Sequence, residues 1–405
     1  MEQPSLQREE SIASGDLDDL GEDDEQEEEQ QEVLAKKETR TVRCLKFLVI
    51  WILLSCGAAI AACVYVYTSN EEESTFHYSF HDYAQQIIDT VDMYAQNKLE
   101  ALGALALLIQ AHAINMQQRW PLVTVPFFEE HVQGTKSLTD CYGIFLCPIV
   151  NESMRHEYVN YTLNHRSWIN ASYAAQREIQ GYDESGLEQE DYATVDWFEH
   201  LWSSDYYNES NPDFSAGIAS DIFTTRSAPG VFHPVVEFNN PGPHFPQWQA
   251  APMSAYYQSS VNLNYGAYDD FFEQTKIIRE TSNAAFGIAW TDQDTDGYVS
   301  TLLYPIFDQF HGDGKEVVAF LGLDILWKAF LQNILPPETK PIHVVVFNSC
   351  GQTFTFLLVG DDTIFQGDGD LHDVSFDSME KTTVFGNKLM EPVSEESCEY
   401  NPEVH

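Results

Sequence analysis

The most constraining feature of this chain is a run without charge or proline, FLVIWILLSCGAAIAACVYVY, at residues 47–67. At 1.5 Å rise per residue, a helix of this length crosses a hydrocarbon core of about 30 Å. A core helix of a soluble domain would carry a polar face, and this run carries none. The run therefore predicts one membrane-spanning helix. A second apolar patch at residues 101–114 is too short to span and contains His112, so we expect it in a folded core.

Charges on the two sides of this run predict its orientation. Residues 1–35 hold fourteen acidic side chains and one basic one, whereas residues 36–46 hold five basic side chains and one acidic one. The run is followed by three acidic residues, Glu71, Glu72 and Glu73. Because positive charge next to a span favours the cytoplasmic side, we expect a cytoplasmic amino terminus and type II topology, with the plasma membrane as the expected location. The acidic composition predicts that residues 1–46 form a disordered tail.

The total charge bears on partners. With 20 Lys and Arg against 64 Asp and Glu, the formal net charge is −44, which excludes nucleic acid as a partner because the two polyanions would repel. The same charge favours a cationic or metal ligand over an anionic one. Hydrophobic residues still make up 43% of the chain, enough for a folded core. The sequence contains no Gly-rich phosphate loop, Gly-x-Ser-x-Gly or His-Glu-x-x-His motif.

Glycosylation and disulfide signals agree with an external location for the residues after the span. Four Asn-x-Ser/Thr sequons predict glycosylation at Asn151, Asn160, Asn170 and Asn208. Four cysteines also lie there, and an even number in an oxidising compartment predicts two disulfides. The three possible pairings remain open on sequence grounds. We favour Cys350 with Cys398, which leaves Cys141 with Cys147.

The external region divides by its periodicity. From residue 74 to residue 120, apolar residues recur every three or four positions and no proline intervenes, which predicts a long signalling helix that Pro121 ends. A first PAS-like lobe is expected at residues 121–238, a Pro-rich linker at 239–252 and a second PAS-like lobe at 253–400. The sequence predicts two hairpins that are joined through a helix, one formed by 301–307 with 316–325 and the other by 342–347 with 352–359. This arrangement is typical of an α+β sandwich of the PAS type.

Several motifs resemble one family. Six segments occur in this order: WPLVTVPFFEEH, CPIVNESMRHEYVNYT, FPQWQAAP, LLYPIFDQF, VVAFLGLDILWKAFLQNILP and NSCGQTFTFLLVG. In these segments the chain resembles the extracellular sensory region of diatom receptor-type guanylate cyclases. The likeness extends from about Phe76 to Cys398, and its amino half is also similar to CHASE sensor domains. It implies a ligand-binding module with two PAS-like (CHASE or Cache-type) lobes on a long helix.

This resemblance sets the functional expectation. Family members continue into a second span and a cytoplasmic class III cyclase domain, whereas this chain ends at His405. We therefore expect a membrane-anchored extracellular sensor of a guanylate cyclase-like signalling protein, truncated before any catalytic domain and not itself an enzyme. A stand-alone sensor or decoy subunit is the alternative. A small-molecule extracellular ligand and a homodimer are the expected partners, because sensor helices of this length usually pair.

Two acidic motifs could hold a metal. Asp292, Asp294 and Asp296 begin like a calcium-binding loop, but Leu303 stands where an EF-hand places a bidentate Glu. We expect an exposed acidic turn and no cofactor, with Ca²⁺ as the alternative. The motif Asp368-Gly369-Asp370 is typical of the metal site of type II membrane glycosyltransferases, which is the competing function. Gly367 and Gly369 fit a tight turn equally well.

Overall fold

The computed structural model describes residues 23–180, 214–215, 218–228, 231–236, 241–253, 257–258, 260–291, 297–312, 314–348, 351–374, 380–383 and 390–391. The chain falls into two units, Met1–Tyr78 and Ser79–His405. The fold is mixed α+β, with antiparallel sheets confined to the second unit.

The first helix, α1, runs from Asp23 to Asn115 and is long and apolar enough to cross a membrane. None of the residues in its most apolar window is buried, so this stretch makes no core of its own. The prediction of a disordered tail over residues 1–46 is wrong from Asp23 onward, because the helix already begins there. The segment after Gly21 has neither glycine nor proline until Gly57 and is rich in Glu, Gln and Lys, which favour helix. Residues 1–22 lie outside the described part.

Within the second unit, α1 ends earlier than the predicted residue 120. Gln117 adopts a left-handed conformation with φ of 54°, and the N–H of Gln118 donates to the carbonyl oxygen of Ala113 at 2.9 Å. This is the hydrogen bond that closes a Schellman-type helix end. The helix is therefore ended by a local turn at Gln117 and not by Pro121.

The remaining elements follow in chain order. The helices are α2 (Phe128–Thr139), α3 (Arg155–Asn164), α4 (Ser167–Gln180), α5 (Asp269–Thr281) and α6 (Trp327–Leu331). The strands are β1 (Gly143–Pro148), β2 (Phe214–Ser215), β3 (Ile218–Ala219), β4 (Thr224–Ala228), β5 (Val231–Val235), β6 (Gln249–Ala251), β7 (Ala284–Thr291), β8 (Tyr298–Phe307), β9 (Val317–Leu326), β10 (Ile342–Phe347), β11 (Thr353–Val359), β12 (Asp362–Asp368) and β13 (Met390–Glu391).

A six-stranded main sheet has the order β13-β7-β8-β9-β1-β6, and a three-stranded small sheet has the order β10-β11-β12. All neighbours pair antiparallel except β13, which is parallel to β7. Successive side chains of a strand point to opposite faces, and β1 obeys this rule. Ile144 and Leu146 pack into a core shared with α1, α2 and the small sheet, whereas Phe145 and Cys147 pack into a core on the other face.

The main sheet does not follow the predicted division into lobes. Strand β1 comes from the predicted first lobe, β6 from the predicted linker 239–252, and β7 to β9 from the predicted second lobe. The Pro-rich segment enters the sheet because its last residues before Pro252 can pair; Trp248 N–H donates to the carbonyl oxygen of Leu146 at 2.8 Å. Both predicted hairpins are confirmed as β8–β9 and β10–β11, but they lie in different sheets.

Candidate functional site

A cavity of about 390 Å³ opens at the end of the main sheet where β1 begins and β9 ends. We call it the sheet-end pocket, and it is lined by Lys136, Asp140, Cys141, Tyr142, Pro252, Tyr257, Leu326, Lys328, Ala329 and Gln332. Three structural pieces form its walls: the last turn of α2 with the residues that lead into β1, the end of β6, and α6. Its volume lies in the range typical of small-molecule sites.

The floor of the pocket is held by a buried carboxylate. Asp324, on β9, accepts hydrogen bonds from Tyr257 Oη at 3.0 Å and from Thr301 Oγ1 at 2.7 Å. Burying a carboxylate is costly unless its oxygens are hydrogen-bonded, and here each oxygen has a hydroxyl donor. Gly143 lies opposite Asp324 in the sheet, and a Cβ at Gly143 would come within 1.8 Å of Tyr257 Oη. Glycine at this position is therefore required for the tyrosine to reach the carboxylate.

A buried lysine of α1 contacts two walls of the pocket. The Lys98 ammonium donates to the carbonyl oxygen of Thr139, the last residue of α2, and lies 5.0 Å from the centre of the Phe330 ring on α6. Burial lowers the pKa of Lys98, and the opposing fields of Asp140 and Cys141 offset part of that effect. The long helix is thus connected directly to the elements that carry Lys136 and Lys328.

A second buried acid holds α2 against its neighbours. Glu129 accepts hydrogen bonds from Gln176 Nε2 of α4 at 3.1 Å and from the backbone N–H of Met253 at 3.2 Å. Burial raises the pKa of Glu129 to about 7, against the lowering effect of those two hydrogen bonds. Ahead of α2, the side-chain amide of Gln249 pairs with the backbone N–H and C=O of Val125 at 2.7 and 2.9 Å. These contacts fix the wall that ends at Asp140.

The predicted pairing of Cys141 with Cys147 is wrong. Both are free thiols, and they belong to cores on opposite faces of the main sheet, so their sulfurs cannot meet. Burial raises the pKa of Cys141 to about 11 and that of Cys147 well above its ordinary value, which keeps both protonated. The predicted pair Cys350 and Cys398 lies outside the described residues.

Several other predicted sites can be located. The sequon residues Asn151, Asn160 and Asn170 are exposed, and Asn208 lies outside the described residues, so glycosylation stays a prediction. The proposed calcium ligands Asp292, Asp294 and Asp296 also lie outside them. Within the described ranges, no group of three or more His, Cys, Asp or Glu side chains could hold a metal ion.

The two carboxylates of the Asp368-Gly369-Asp370 motif have separate partners. Asp368 accepts a hydrogen bond from Tyr298 Oη at 2.6 Å, whereas Asp370 contacts Nδ1 of His372, a bond that lowers the pKa of Asp370. Gly367 and Gly369 have φ of 146° and 85°, and Gly369 bonds back to Thr353. The motif thus forms the turn that follows β12.

Two buried residues that support the pocket from behind could have been found from the sequence but were not. Asp324 is the one charged residue in the strand VVAFLGLDIL, which signals a buried and therefore specifically bonded carboxylate. Lys98 falls four residues before Leu102, on the apolar stripe of α1. Two aromatic residues that could have lined a pocket, Trp168 and Trp248, instead pack together in the core with ring centroids 5.6 Å apart.

Known proteins give no further guide to this site. No protein-family model matches the chain, and no curated protein is significantly similar to it.

Proposed function

We propose that this protein is a membrane-anchored extracellular sensor that binds a small molecule in the sheet-end pocket and passes the binding event to α1. The observation that carries the proposal is the position of Lys98, which contacts two walls of the pocket while lying on the same helix as the apolar segment 47–67. The proposed topology is type II in the plasma membrane, with a cytoplasmic amino terminus and the basic residues 36–46 on that side. The signalling context is that of guanylate cyclase-like receptors with PAS-like sensor lobes.

The contacts of Lys98 support a physical mechanism for this coupling. A ligand that prefers one spacing of α2 and α6 would stabilise the arrangement that gives this spacing, and only this differential affinity can shift the populations. The bond to Thr139 and the contact with Phe330 both depend on that spacing, because one amine makes both. A change in the spacing of α2 and α6 would therefore change how α1 is held at Lys98.

A homodimer is part of the proposal. Exposed or partly exposed residues of α1 repeat with heptad spacing, in one row at Met93, Glu100, Leu107 and Ile114 and in a second row at Asn97, Ala104 and Ala111. Leu107 leaves 56% of its side chain exposed within a helix that buries its opposite face. The two rows alternate at three- and four-residue spacing, which is the spacing through which parallel helices pack, and five of their seven residues are apolar, with Glu100 and Asn97 as the polar ones.

The coupling can be tested on the full chain in lipid nanodiscs. A thermal-shift screen with a panel of single metabolites, covering amino acids, organic acids, sugars, nucleosides, polyamines and divalent metals, identifies a probe that raises the melting temperature. Hydrogen exchange is then followed in the peptides of residues 79–115 with and without that probe. We expect slower exchange around Lys98 in the presence of the probe.

The variant Lys98→Met separates binding from coupling, since the apolar side chain fills a similar volume without the hydrogen bond. We expect it to keep the thermal shift and to lose the exchange response, whereas Lys276→Met, at an exposed lysine of α5, should leave both unchanged. A panel without any stabilising compound, or an exchange response that survives in Lys98→Met, would contradict the proposal.

A further inference from the structure

We propose that the sheet-end pocket binds a small organic dicarboxylate, held at its two ends by Lys136 of α2 and Lys328 of α6. This inference rests on the proposed sensor function and names the class of ligand. It runs against the expectation from net charge, because the local side chains and not the total of −44 decide what a pocket accepts.

The first argument is the concentration of cations at one place in an acidic protein. The chain has only 20 Lys and Arg, yet Lys136 and Lys328 both line this cavity. Across the described part of the chain neither forms an ion pair, whereas Lys276 is bonded to Glu273 at 3.0 Å. Two partly buried ammonium groups without a counter-ion are positioned to bind anionic groups of a ligand.

The second argument is the balance of charge among the side chains that line the pocket. Asp140 is the one carboxylate in the described lining. Asp324 lies behind the floor, and its two oxygens are already bonded to Tyr257 and Thr301. Lys98 adds a further cation behind the wall, where it acts on Asp140. The lining itself therefore holds two lysines and one carboxylate. Of the buried acids behind the walls, Glu129 interacts with the charge of Lys136.

The third argument concerns the shape of the ligand. The two lysines lie on different elements, so one anionic group per lysine requires a ligand with two anionic ends. The lining also includes Pro252, Leu326 and Ala329, which suit a short hydrocarbon spacer, and Gln332, which offers an amide. A ligand that bonds both lysines would fix the spacing of α2 and α6, the two elements that Lys98 contacts.

Calorimetry on the full chain in nanodiscs of neutral lipid tests this inference, with succinate, glutarate and adipate as probes. Three comparison compounds are used. Inorganic phosphate has one anionic centre, succinamide has no charge, and 1,4-diaminobutane has two positive charges. We expect at least one dicarboxylate to bind, with weaker binding as ionic strength rises. Lys136→Gln and Lys328→Gln should each weaken binding by about tenfold or more, as expected for loss of a charged hydrogen bond.

Lys276→Gln is the matched control and should leave the affinity unchanged. Because Lys136 and Lys328 are only partly buried, we expect both variants to keep the melting temperature of the unliganded protein, which separates loss of binding from loss of folding. The inference is overturned if no dicarboxylate binds, if the double variant Lys136→Gln/Lys328→Gln binds as well as the wild type, or if phosphate or the diamine binds more tightly. A neutral or cationic compound that stabilises the chain and slows hydrogen exchange in α1 would contradict the assignment of a dicarboxylate ligand. It would still support the proposed sensor function.

Discussion

The ammonium group of Lys98 on α1 donates a hydrogen bond to the carbonyl oxygen of Thr139 at the carboxyl end of α2. Both residues are buried, with 5% and 0% of their surface exposed. The last carbonyl groups of a helix lack an intrahelical donor and carry partial negative charge, so a lysine is a suitable partner for them. The contact satisfies two groups that would each be costly to bury alone, and it connects the long helix to the wall of the sheet-end pocket.

This buried amine predicts a pH dependence of stability. Burial lowers the pKa of Lys98 below the 10.5 of an exposed lysine, so the unfolded chain binds more protons than the folded chain as the pH approaches 10.5. Stability contributed by this group therefore rises with pH in that range. We expect the unfolding free energy of the wild type to rise relative to that of Lys98→Met as the pH increases from 7 to 10. Urea titrations of both proteins measure this difference.

The close approach of Tyr257 to Gly143 predicts a sensitive position on β1. A Cβ at Gly143 would lie 1.8 Å from Tyr257 Oη, so Gly143→Ala must displace the ring and break its hydrogen bond to Asp324. We expect a loss of about 2–4 kcal/mol in unfolding free energy, from overpacking and an under-bonded buried carboxylate.

Gly134 provides the control for this substitution. It lies within α2, and a Cβ there would meet no atom within 4 Å. Because alanine is the better helix former, Gly134→Ala should stabilise by about 0.5–1 kcal/mol. Equal effects of the two substitutions in urea titrations would contradict the steric argument.

Local patterns predicted individual elements better than their assembly. The apolar run 47–67, the strands β8 to β11 and most of α1 follow from periodicity and from the absence of proline. The main sheet could not be foreseen, because β1 and β9 are separated by more than 160 residues and a three-residue strand, β6, carries no periodic signal of its own. Pairing over such distances is decided by tertiary packing, which propensity does not encode.

The candidate site was missed for a related reason. Its walls come from the end of α2, the end of β6 and α6, and each contributes one or two side chains that look ordinary in the sequence. The net charge favoured a cationic ligand, because a total does not show that Lys136 and Lys328 line the same pocket. The expected pair of Cys141 and Cys147 failed because Cys141 precedes β1 and packs in the core on one face of the main sheet, whereas Cys147 lies in β1 and packs on the other face.

The heptad rows on α1 predict a dimer that a single charge can disrupt. Leu107 is 56% exposed and lies in the row between Glu100 and Ile114, so Leu107→Glu would remove an apolar contact and add a second acid next to Glu100 in a parallel pair. We expect the dissociation constant of the dimer to rise by tenfold or more, measured by single-molecule subunit counting in nanodiscs or by cross-linking in membranes. Leu138→Glu on α2, at a leucine that is 71% exposed but outside the rows, should leave the dimer unchanged. A monomeric wild type would contradict the homodimer.

The buried acid Glu129 predicts a second pH dependence, opposite in sign to that of Lys98. Because its pKa rises from 4.5 to about 7 on folding, the folded chain binds more protons between these values, and stability falls as the pH rises through this window. The upper bound of the loss is about 3 kcal/mol, from 1.36 kcal/mol per pKa unit. Glu129→Gln should remove this slope from urea titrations between pH 4.5 and pH 7.5, whereas Glu157→Gln, at an exposed acid of α3, should keep it. If both variants keep the slope, Glu129 does not titrate in this window and its hydrogen bonds to Gln176 and Met253 hold it ionised.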